Sequence, residues 1–263
     1  MSQAARGEHV HGRQWAETSH CRVAGVRHFG AFTALELVAP RVAAKAAPGQ
    51  FVMVTVPGAG FLLRRPLSLF TVHGDRVGLL LEARGAGSER LTRLEVGESV
   101  DLAGPLGSAF PLAGVASALL VGGGIGCAPL QYLADELATA GSSVTAVFGF
   151  RDFRAVRAAG AFAVERLWVA SEDGSTGRRG TVLDILGVLD VPPGTVVYAC
   201  GPTPMIAAVQ RWALDRRLSG YASLEAHMAC GTGSCHGCVV DTARGRLRVC
   251  SEGPVFALDE VRP

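Results

Sequence analysis

The stretch at residues 121–129 reads VGGGIGCAP and joins an apolar run to a segment of helical character. Backbone N–H groups at such a strand-to-helix junction bind phosphate, because they lie at the N-terminus of the helix. The pattern is not a strict Rossmann fingerprint, since Gly122-x-Gly124-x-x ends in Cys127 rather than in glycine or alanine. The stretch predicts a nucleotide-binding loop, with plain turn chemistry as the alternative interpretation.

Apolar runs alternate with helical segments on both sides of this loop. The predicted strands are Leu119–Val121, Val144–Phe148, Leu167–Ala170 and Val196–Ala199. The predicted helices cover about 129–140, 153–159, 182–186 and 204–217. This alternation predicts βαβ units and a parallel sheet. Cys200-Gly201-Pro202 follows the last strand, so we expect it to share one crevice with the glycine loop at the carboxyl ends of the strands.

The first third of the chain has a different texture. Short runs at 51–56, 67–72 and 77–81, with a turn at His73-Gly74-Asp75, predict a small antiparallel barrel or sandwich. The predicted division is an N-terminal flexible extension, a barrel, an α/β domain and a small cysteine-rich domain, at 1–19, 20–114, 115–220 and 221–263.

Two short motifs in the barrel indicate a flavin. Arg64-Arg65-Pro66-Leu67-Ser68 lies at a strand start, and Gly85-Ala86-Gly87-Ser88 follows about twenty residues later. One arginine can pair with a pyrophosphate in fork geometry, and a Gly-x-Gly-Ser turn can offer N–H groups and a hydroxyl to the same phosphates. Ser68 is small enough to reach the edge of an isoalloxazine ring. The alternative is two ordinary turns and a surface arginine.

Four of the seven cysteines crowd into the tail as C-x4-C-x2-C-x11-C, at Cys230, Cys235, Cys238 and Cys250. The first three follow the plant-type 2Fe-2S spacing. Three glycines in this segment allow a tight loop whose N–H groups point at the sulfurs, which stabilises a reduced cluster. Runs at 239–240 and 247–249 predict a hairpin that returns the last cysteine. The alternative is structural zinc, although zinc knuckles usually space both ligand pairs by two residues.

Composition and charge exclude several classes of protein. Hydrophobic residues make up 49% and charged residues 18%, and the net charge is +2. A buried core is therefore expected, and nothing indicates binding to nucleic acid or to an anionic membrane. The chain lacks an 18-residue apolar span, and its first twenty residues lack the apolar region of a secretory signal, so we expect a cytoplasmic protein. An odd number of cysteines argues against a disulfide framework.

The order of these motifs resembles the ferredoxin reductase superfamily, and most closely the electron transfer subunits of bacterial NAD-dependent dihydroorotate dehydrogenases, the PyrK family. The resemblance covers about residues 20–258, and the tail sequence EAHMACGTGSCHGCVV is its most specific part. It implies a barrel that binds FAD, an α/β domain that binds NAD, and a C-terminal 2Fe-2S domain. It further implies an FMN-containing catalytic subunit as partner, in a heterotetramer of two catalytic and two electron transfer subunits.

The resemblance also implies roles for individual residues. FAD would be bound by Arg65, Pro66, Leu67, Ser68, Leu80, Leu81, Glu82, Gly87 and Ser88. NAD would be framed by Gly122, Gly123, Gly124, Gly126, Cys200, Gly201 and Pro202. Ser68 would act near the reactive flavin nitrogen and Cys200 against the nicotinamide, while Cys127 is expected to be a small buried hydrophobe.

The implied function is to pass electrons from the FMN of the catalytic subunit, through the cluster and FAD, to NAD in pyrimidine (UMP) biosynthesis. This chain alone is not expected to oxidise dihydroorotate. It departs from the family at Ser88, where threonine is usual, at Cys127, where an aliphatic residue is usual, and at His227, where arginine is common. Arg151-Asp152 leaves NAD and NADP both open. The rival functions are a stand-alone or complex-bound NAD(P)H reductase and an iron–sulfur regulator.

Overall fold

Within residues 17–262, which the computed structural model describes, six antiparallel strands close a barrel in the order β1-β2-β5-β4-β3-β6. The strands are β1 Thr18–Phe29, β2 Phe32–Val38, β3 Phe51–Val54, β4 Arg65–His73, β5 Arg76–Glu82 and β6 Ser99–Leu106. Two short helices, α1 Pro40–Ala43 and α2 Ala86–Thr92, lie between them. The predicted barrel is confirmed.

Side chains that alternate along these strands fill the barrel. One fully buried side chain from each of β1, β2, β3, β5 and β6 illustrates this packing: Val23, Leu37, Val52, Leu79 and Leu102. Burial of such side chains contributes about 1.5–3 kcal/mol each. The β4–β5 hairpin turns at Gly74-Asp75, where Gly74 takes a positive φ of 60°, as the predicted turn requires.

The rest of the described chain forms a seven-stranded sheet in the order β10-β9-β8-β7-β11-β12-β15, together with a separate hairpin. These strands are β7 Ser117–Gly123, β8 Ser143–Phe150, β9 Arg166–Ser171, β10 Arg178–Arg179, β11 Val196–Cys200, β12 Gly220–Ser223, β13 Val239–Thr242, β14 Gly245–Arg248 and β15 Val255–Ala257. The helices are α3 Ala128–Thr139, α4 Phe153–Val156, α5 Val182–Leu186 and α6 Thr203–Asp215. All neighbours in the sheet are parallel except β15, which runs antiparallel to β12.

One predicted helix and one predicted turn differ from the structure. The helix expected over 153–159 ends at Val156 and continues as a 3-10 turn over 157–161, where Ala158 is buried and Gly160 weakens the helix. The expected turn at Gly85-Ala86-Gly87-Ser88 is the N-terminal turn of α2. Glycine has a low intrinsic helix propensity, and for that reason this start is hard to recognise from sequence.

The predicted domain boundaries stay predictions, but the sheet crosses one of them. β12 begins at Gly220 and pairs with β11, and β15 lies far into the predicted cysteine domain. Residues 1–16 of the predicted extension 1–19 lie outside the described residues. Thr18 and Ser19, which the prediction placed in the extension, belong to β1 and pair with β6. Within residues 17–262, the helices are too short or too polar to cross a membrane.

The barrel packs against the sheet through α3 and the loop after α4. Tyr132 on α3 donates its hydroxyl to the carbonyl of Ala46 at 3.1 Å. Phe70 of β4 meets Phe162 edge-on, with 5.5 Å between the ring centroids. These contacts hold α3 and the segment after α4 against the barrel, on the side of β4, which carries one of the flavin motifs.

Candidate functional site

The four cysteines of the tail lie on two loops that the β13–β14 hairpin brings together. Cys230, Cys235 and Cys238 precede β13, and Cys250 follows β14. The hairpin pairs Val239 with Arg248, and the Cys250 N–H then lies 3.4 Å from Cys238 Sγ. The predicted hairpin and its role in returning the fourth cysteine are confirmed by this geometry.

Every one of the four sulfurs accepts a backbone N–H. Thr232 and Cys235 donate to Cys230 Sγ at 3.4 Å, and Gly237 donates to Cys235 Sγ at 3.4 Å. Gly233 donates to Cys250 Sγ at 3.1 Å, and Cys250 donates to Cys238 Sγ. Such bonds stabilise negative charge on sulfur, which a thiolate ligand carries. The arrangement fits thiolate ligation, as the glycine-rich sequence predicts.

The four thiols form two neighbouring pairs, Cys230 with Cys235 and Cys238 with Cys250, and the two pairs have different environments. Burial raises the pKa of Cys230, but hydrogen bonds from Thr232 and Cys235 outweigh it and lower the value to about 6. Burial and the adjacent Cys238 thiol raise the pKa of Cys250 to about 12. In residues 17–262 no three His, Cys, Asp or Glu side chains surround a single ion position. Two pairs match a cluster in which each of two irons takes two thiolates.

Exposure separates these pairs. Cys238 and Cys250 are 2% and 3% exposed, whereas Cys230 is half-buried and Cys235 is exposed. The ligand loop is packed against the barrel at Gly231, where φ is 70° and an added Cβ would lie 2.6 Å from Met53 Cγ. One side of the cysteine loop therefore faces solvent, and the other side contacts β3.

Beside this loop lies a crevice of about 220 Å³ between the barrel, the glycine loop and the tail. β4 lines it with Pro66, Leu67 and Ser68, and β5 with Leu80, Leu81 and Glu82. The sheet and the tail contribute Ile125, Ala128, Ser223, Glu225 and Met228. The structure thus brings together predicted flavin residues from two strands. A second cavity, of about 450 Å³, is lined by β9, β10 and α5 and contains none of the predicted site residues.

Arg65 is the first residue of β4, and its guanidinium lies beside the first turn of α2, next to this crevice. An added Cβ on Gly87 would lie 2.5 Å from Arg65 Nη2, and Arg65 Nη1 donates to the carbonyl of Leu63 at 2.6 Å. Only glycine lets the guanidinium lie this close to the backbone. A guanidinium beside free N–H groups of a helical turn suits a pyrophosphate.

Ser88 has a different set of partners from the one that its sequence suggests. Its hydroxyl accepts from the N–H groups of Arg84 and Gly85, at 2.9 and 3.1 Å, and donates to the carbonyl of Gly85 at 2.9 Å. These bonds hold the turn before α2 in shape. A direct contact between Ser88 and phosphate stays a prediction.

The glycine loop and the Cys200-Gly201-Pro202 loop contact each other at one edge of the sheet. Gly122 and Cys200 are register partners on β7 and β11. An added Cβ on Gly126 would lie 2.5 Å from Gly201 Cα, and one on Gly123 would lie 2.9 Å from Pro202 Cδ. Gly124 has open space but a φ of 56°, which favours glycine. The two clusters therefore lie together at the carboxyl ends of β7 and β11, and a shared nucleotide crevice stays a prediction.

Cys127 and Cys200 are buried thiols. They are 0% and 1% exposed, and burial raises the pKa of both well above the usual range. Cys200 also lies near the side chains of Ser223 and Glu225, which line the crevice. Its sulfur is thus close to the site but protonated, and contact with a nicotinamide stays a prediction.

Glu225 is a crevice residue that the sequence analysis missed. Its side chain is open to the crevice, yet surrounding protein limits its hydration and raises its pKa, with Arg84 opposing and Glu82 adding to that shift. Glu82, by contrast, is paired with Arg84 Nε at 2.7 Å. The available signal was a single carboxylate two residues beyond the end of β12 and five residues before the first cysteine.

Asp152, which left the choice between NAD and NADP open, has a structural role. Its carboxylate accepts from the N–H groups of Arg154 and Ala155, at 3.0 and 3.1 Å, and so caps α4. Arg151 beside it is exposed.

Comparison with known proteins agrees with this geometry. Residues 225–262 match the family model of the iron-sulfur cluster binding domain of dihydroorotate dehydrogenase B. The chain is 39% identical over 225 residues to the dihydroorotate dehydrogenase B (NAD(+)) electron transfer subunit of Shouchella clausii, covering 81% of this chain and 86% of that protein. For the same subunit from Geobacillus thermodenitrificans the identity is 42% over 227 residues, with the same coverage.

Two solved structures support the fold. An NADH-dependent reduced ferredoxin-NADP oxidoreductase, solved to study flavin-based electron bifurcation, matches with a TM-score of 0.82 and 27% identity, covering 92% of this chain and 89% of that one. A ferredoxin NADP+ reductase from Neisseria gonorrhoeae with bound FAD and NADP matches with a TM-score of 0.63, 15% identity and coverage of 76% and 92%. The chain belongs to the family of dihydroorotate dehydrogenase B (NAD(+)) electron transfer subunits, within the ferredoxin reductase-like fold.

Proposed function

We propose that this chain takes electrons from an FMN-containing catalytic subunit, through a 2Fe-2S cluster and FAD, and passes them to NAD during the oxidation of dihydroorotate to orotate in pyrimidine (UMP) synthesis. The observation that carries the proposal is the wall shared by the cysteine loop and the crevice. Gly231 packs on Met53 of β3, and Met228 lines the crevice together with Phe51 of the same strand. A one-electron carrier and a flavin would therefore be neighbours.

The four tail thiolates hold the cluster in this proposal, and Arg65 with the first turn of α2 holds the flavin pyrophosphate. A cluster supplies single electrons, and a flavin converts them into the pair that a hydride carries. Ser68 and residues 80–82 position the ring, and the Gly122–Gly126 and Cys200–Pro202 loops receive the nicotinamide nucleotide. These assignments rest on the contacts in the crevice and on the fit of each donor set.

Reduction of NAD+ takes two electrons and one proton, whereas the cluster delivers electrons alone. The proton would have to reach the flavin site from solvent or from an acid in the crevice. Glu225 is suited to relay it, because its carboxyl lines the crevice with a pKa that limited hydration raises, whereas Glu82 is paired with Arg84. The carboxyl of Glu225 would then take up a new proton from solvent, to which the crevice is open.

The exposed side of the cysteine loop supports a docking position for the catalytic subunit. Cys235 and the neighbouring residues Ser234 and His236 are exposed, while the second thiol pair is buried. Electrons would enter at the exposed side and leave toward β3. A heterotetramer of two catalytic and two electron transfer subunits completes the proposal.

The test is co-purification with an FMN protein, followed by an assay of dihydroorotate-dependent NAD reduction. We expect the isolated chain to contain FAD, iron and sulfide and to reduce dyes with NADH, but to oxidise no dihydroorotate until the catalytic subunit is added. Oxidation of dihydroorotate by the isolated chain, or failure of the reconstituted pair to reduce NAD, would refute the proposal.

A second candidate has one observation in its favour. The neighbour with a TM-score of 0.82 is a ferredoxin-NADP oxidoreductase that covers almost the whole chain. In this alternative the chain is a complex-bound NAD(P)H:ferredoxin-type reductase. Co-purification with a ferredoxin-linked flavoprotein, with turnover of ferredoxin and none of dihydroorotate, would favour it.

A further inference from the structure

Arg248 joins the two loops that carry the cysteines. It is the last residue of β14 and precedes Cys250 by two positions. Its Nη1 donates to the carbonyl of Gly233 at 2.8 Å, in the loop between the first two cysteines. Its Nε donates to both carboxylate oxygens of Glu252, at 2.9 and 3.1 Å, and Nη2 bonds the same carboxylate. One guanidinium thus spans both sides of the ligand set.

The residue that Arg248 holds contacts a ligand sulfur. Gly233 donates its N–H to Cys250 Sγ at 3.1 Å while its carbonyl accepts from Arg248. Its φ of 80° is accessible mainly to glycine, and an added Cβ would lie 3.0 Å from Ser251 Oγ. Gly233 is therefore fixed from both ends, and the direction of its N–H depends on the guanidinium.

The guanidinium also forms an ion pair with Glu252, two residues beyond Cys250. The side chains of Arg248 and Glu252 are 32% and 18% exposed, so water screens this ion pair only in part. The guanidinium keeps its charge at neutral pH, and its three bonds to the carboxylate hold Glu252 beside it.

We propose that Arg248 is a positioning residue for the cluster: it orients the Gly233 N–H toward Cys250 Sγ, neutralises the Glu252 carboxylate beside the ligand loop and so raises the reduction potential. The reason is that a reduced cluster carries one more negative charge, which a hydrogen bond stabilises and an unpaired carboxylate would destabilise. This inference rests on the proposed function, since it requires that the four thiols hold a 2Fe-2S cluster.

Three variants of the full chain, purified with its cofactors, test the proposal. Arg248→Met removes the charge and the donors, whereas Arg248→Lys keeps the charge but loses the fork that spans Gly233 and Glu252. Arg246→Met is the matched control on the same strand, since Arg246 is 79% exposed and its nearest partner is Asp241 at 3.8 Å. The midpoint potential of the cluster is measured by redox titration followed by EPR.

We expect Arg248→Met to lower the midpoint potential by about 59 mV or more, which is a tenfold change in the one-electron reduction equilibrium. Arg248→Lys should fall between Arg248→Met and the unsubstituted chain, with an altered EPR spectrum. Arg246→Met should keep the potential and the spectrum. Equal potentials for Arg248→Met and Arg246→Met would overturn the proposal.

If Arg248→Met lost the cluster, its potential could not be measured, and Arg248→Lys would be the deciding variant. An unchanged potential and EPR spectrum in Arg248→Lys would also overturn the proposal. Iron and sulfide analysis of the unsubstituted chain separates the two levels of inference. If the unsubstituted chain bound no cluster, the proposed function itself would fail. If it bound the cluster and the variants did not shift the potential, only the role of Arg248 would fail.

Discussion

The cysteine loop and the flavin crevice are adjacent, but they are built in opposite ways. The loop takes its four sulfurs and the five N–H groups that donate to them from one segment of about twenty residues, 230–250. The crevice takes its walls from β4, β5, the glycine loop and the tail, which are distant in sequence. A local site depends on ligand identity, whereas an assembled site depends on how closely backbones approach one another. Changes in the two regions should therefore have separable effects.

The largest effect is expected at the cysteine loop. Cys238→Ser removes a buried thiolate, and we expect bound iron and sulfide to be lost while FAD content stays unchanged, because none of the four cysteines lines the crevice. Iron analysis and the visible spectrum measure both. Cys21→Ser is the control: Cys21 lies in the barrel, where burial and Asp101 raise its pKa to about 11. Loss of FAD along with the cluster would contradict the separation of the two regions.

The next effect is expected where two backbones meet in the crevice. In Gly126→Ala the new Cβ would lie 2.5 Å from Gly201 Cα and 2.6 Å from its nitrogen, so one loop has to move. We expect NADH affinity to fall about a hundredfold, or about 2.8 kcal/mol, with cluster and flavin content unchanged. Binding titration measures it. Gly160→Ala, with open space around its Cβ and no positive φ, is the control, and an affinity equal to that control would be the contrary result.

A smaller effect is expected at Gly87, where the clash is with a side chain. In Gly87→Ala the Cβ would lie 2.5 Å from Arg65 Nη2. The guanidinium can move aside, but it then leaves the position beside the first turn of α2. We expect FAD affinity to fall about tenfold, or about 1.4 kcal/mol, as measured by flavin release on dilution. Gly160→Ala again serves as the control. Unchanged FAD affinity would argue against a role of Arg65 in pyrophosphate binding.

The smallest effect is expected at Glu225. Its pKa is raised, so in the unsubstituted chain the rate of NAD reduction should fall as the pH rises through that value and the carboxyl loses its proton. Glu225→Gln should lower the rate a few-fold below that pH and remove this limb of the profile, and Glu225→Asp should restore it. If the rate of Glu225→Gln still fell over the same pH range, the titrating group would be a residue other than Glu225.

The sequence alone was sufficient for the local site and for part of the assembled one. Spacing predicted all four cysteines and the returning hairpin, since ligands and turns lie close together along the chain. The sequence indicated Arg65 and Gly87 as parts of two separate motifs. The structure adds that the two residues are in contact and that Gly87 lies in the first turn of α2. Glu225 and Arg248 were missed, because each lies near groups that are distant along the chain: Cys200 and Glu82 for the first, and Gly233 for the second.

The way the tail joins the sheet has a consequence for kinetics. The cysteine segment leaves the sheet at β12 and re-enters it at β15, the strand paired directly with β12. Both ends are thus held by the same pair of strands, and Val255 further donates its N–H to Ser108 Oγ at 3.2 Å. We therefore expect the cysteine segment to keep its position relative to the sheet. Electron hopping inside the chain should proceed over a constant gap, and its rate should be insensitive to solvent viscosity.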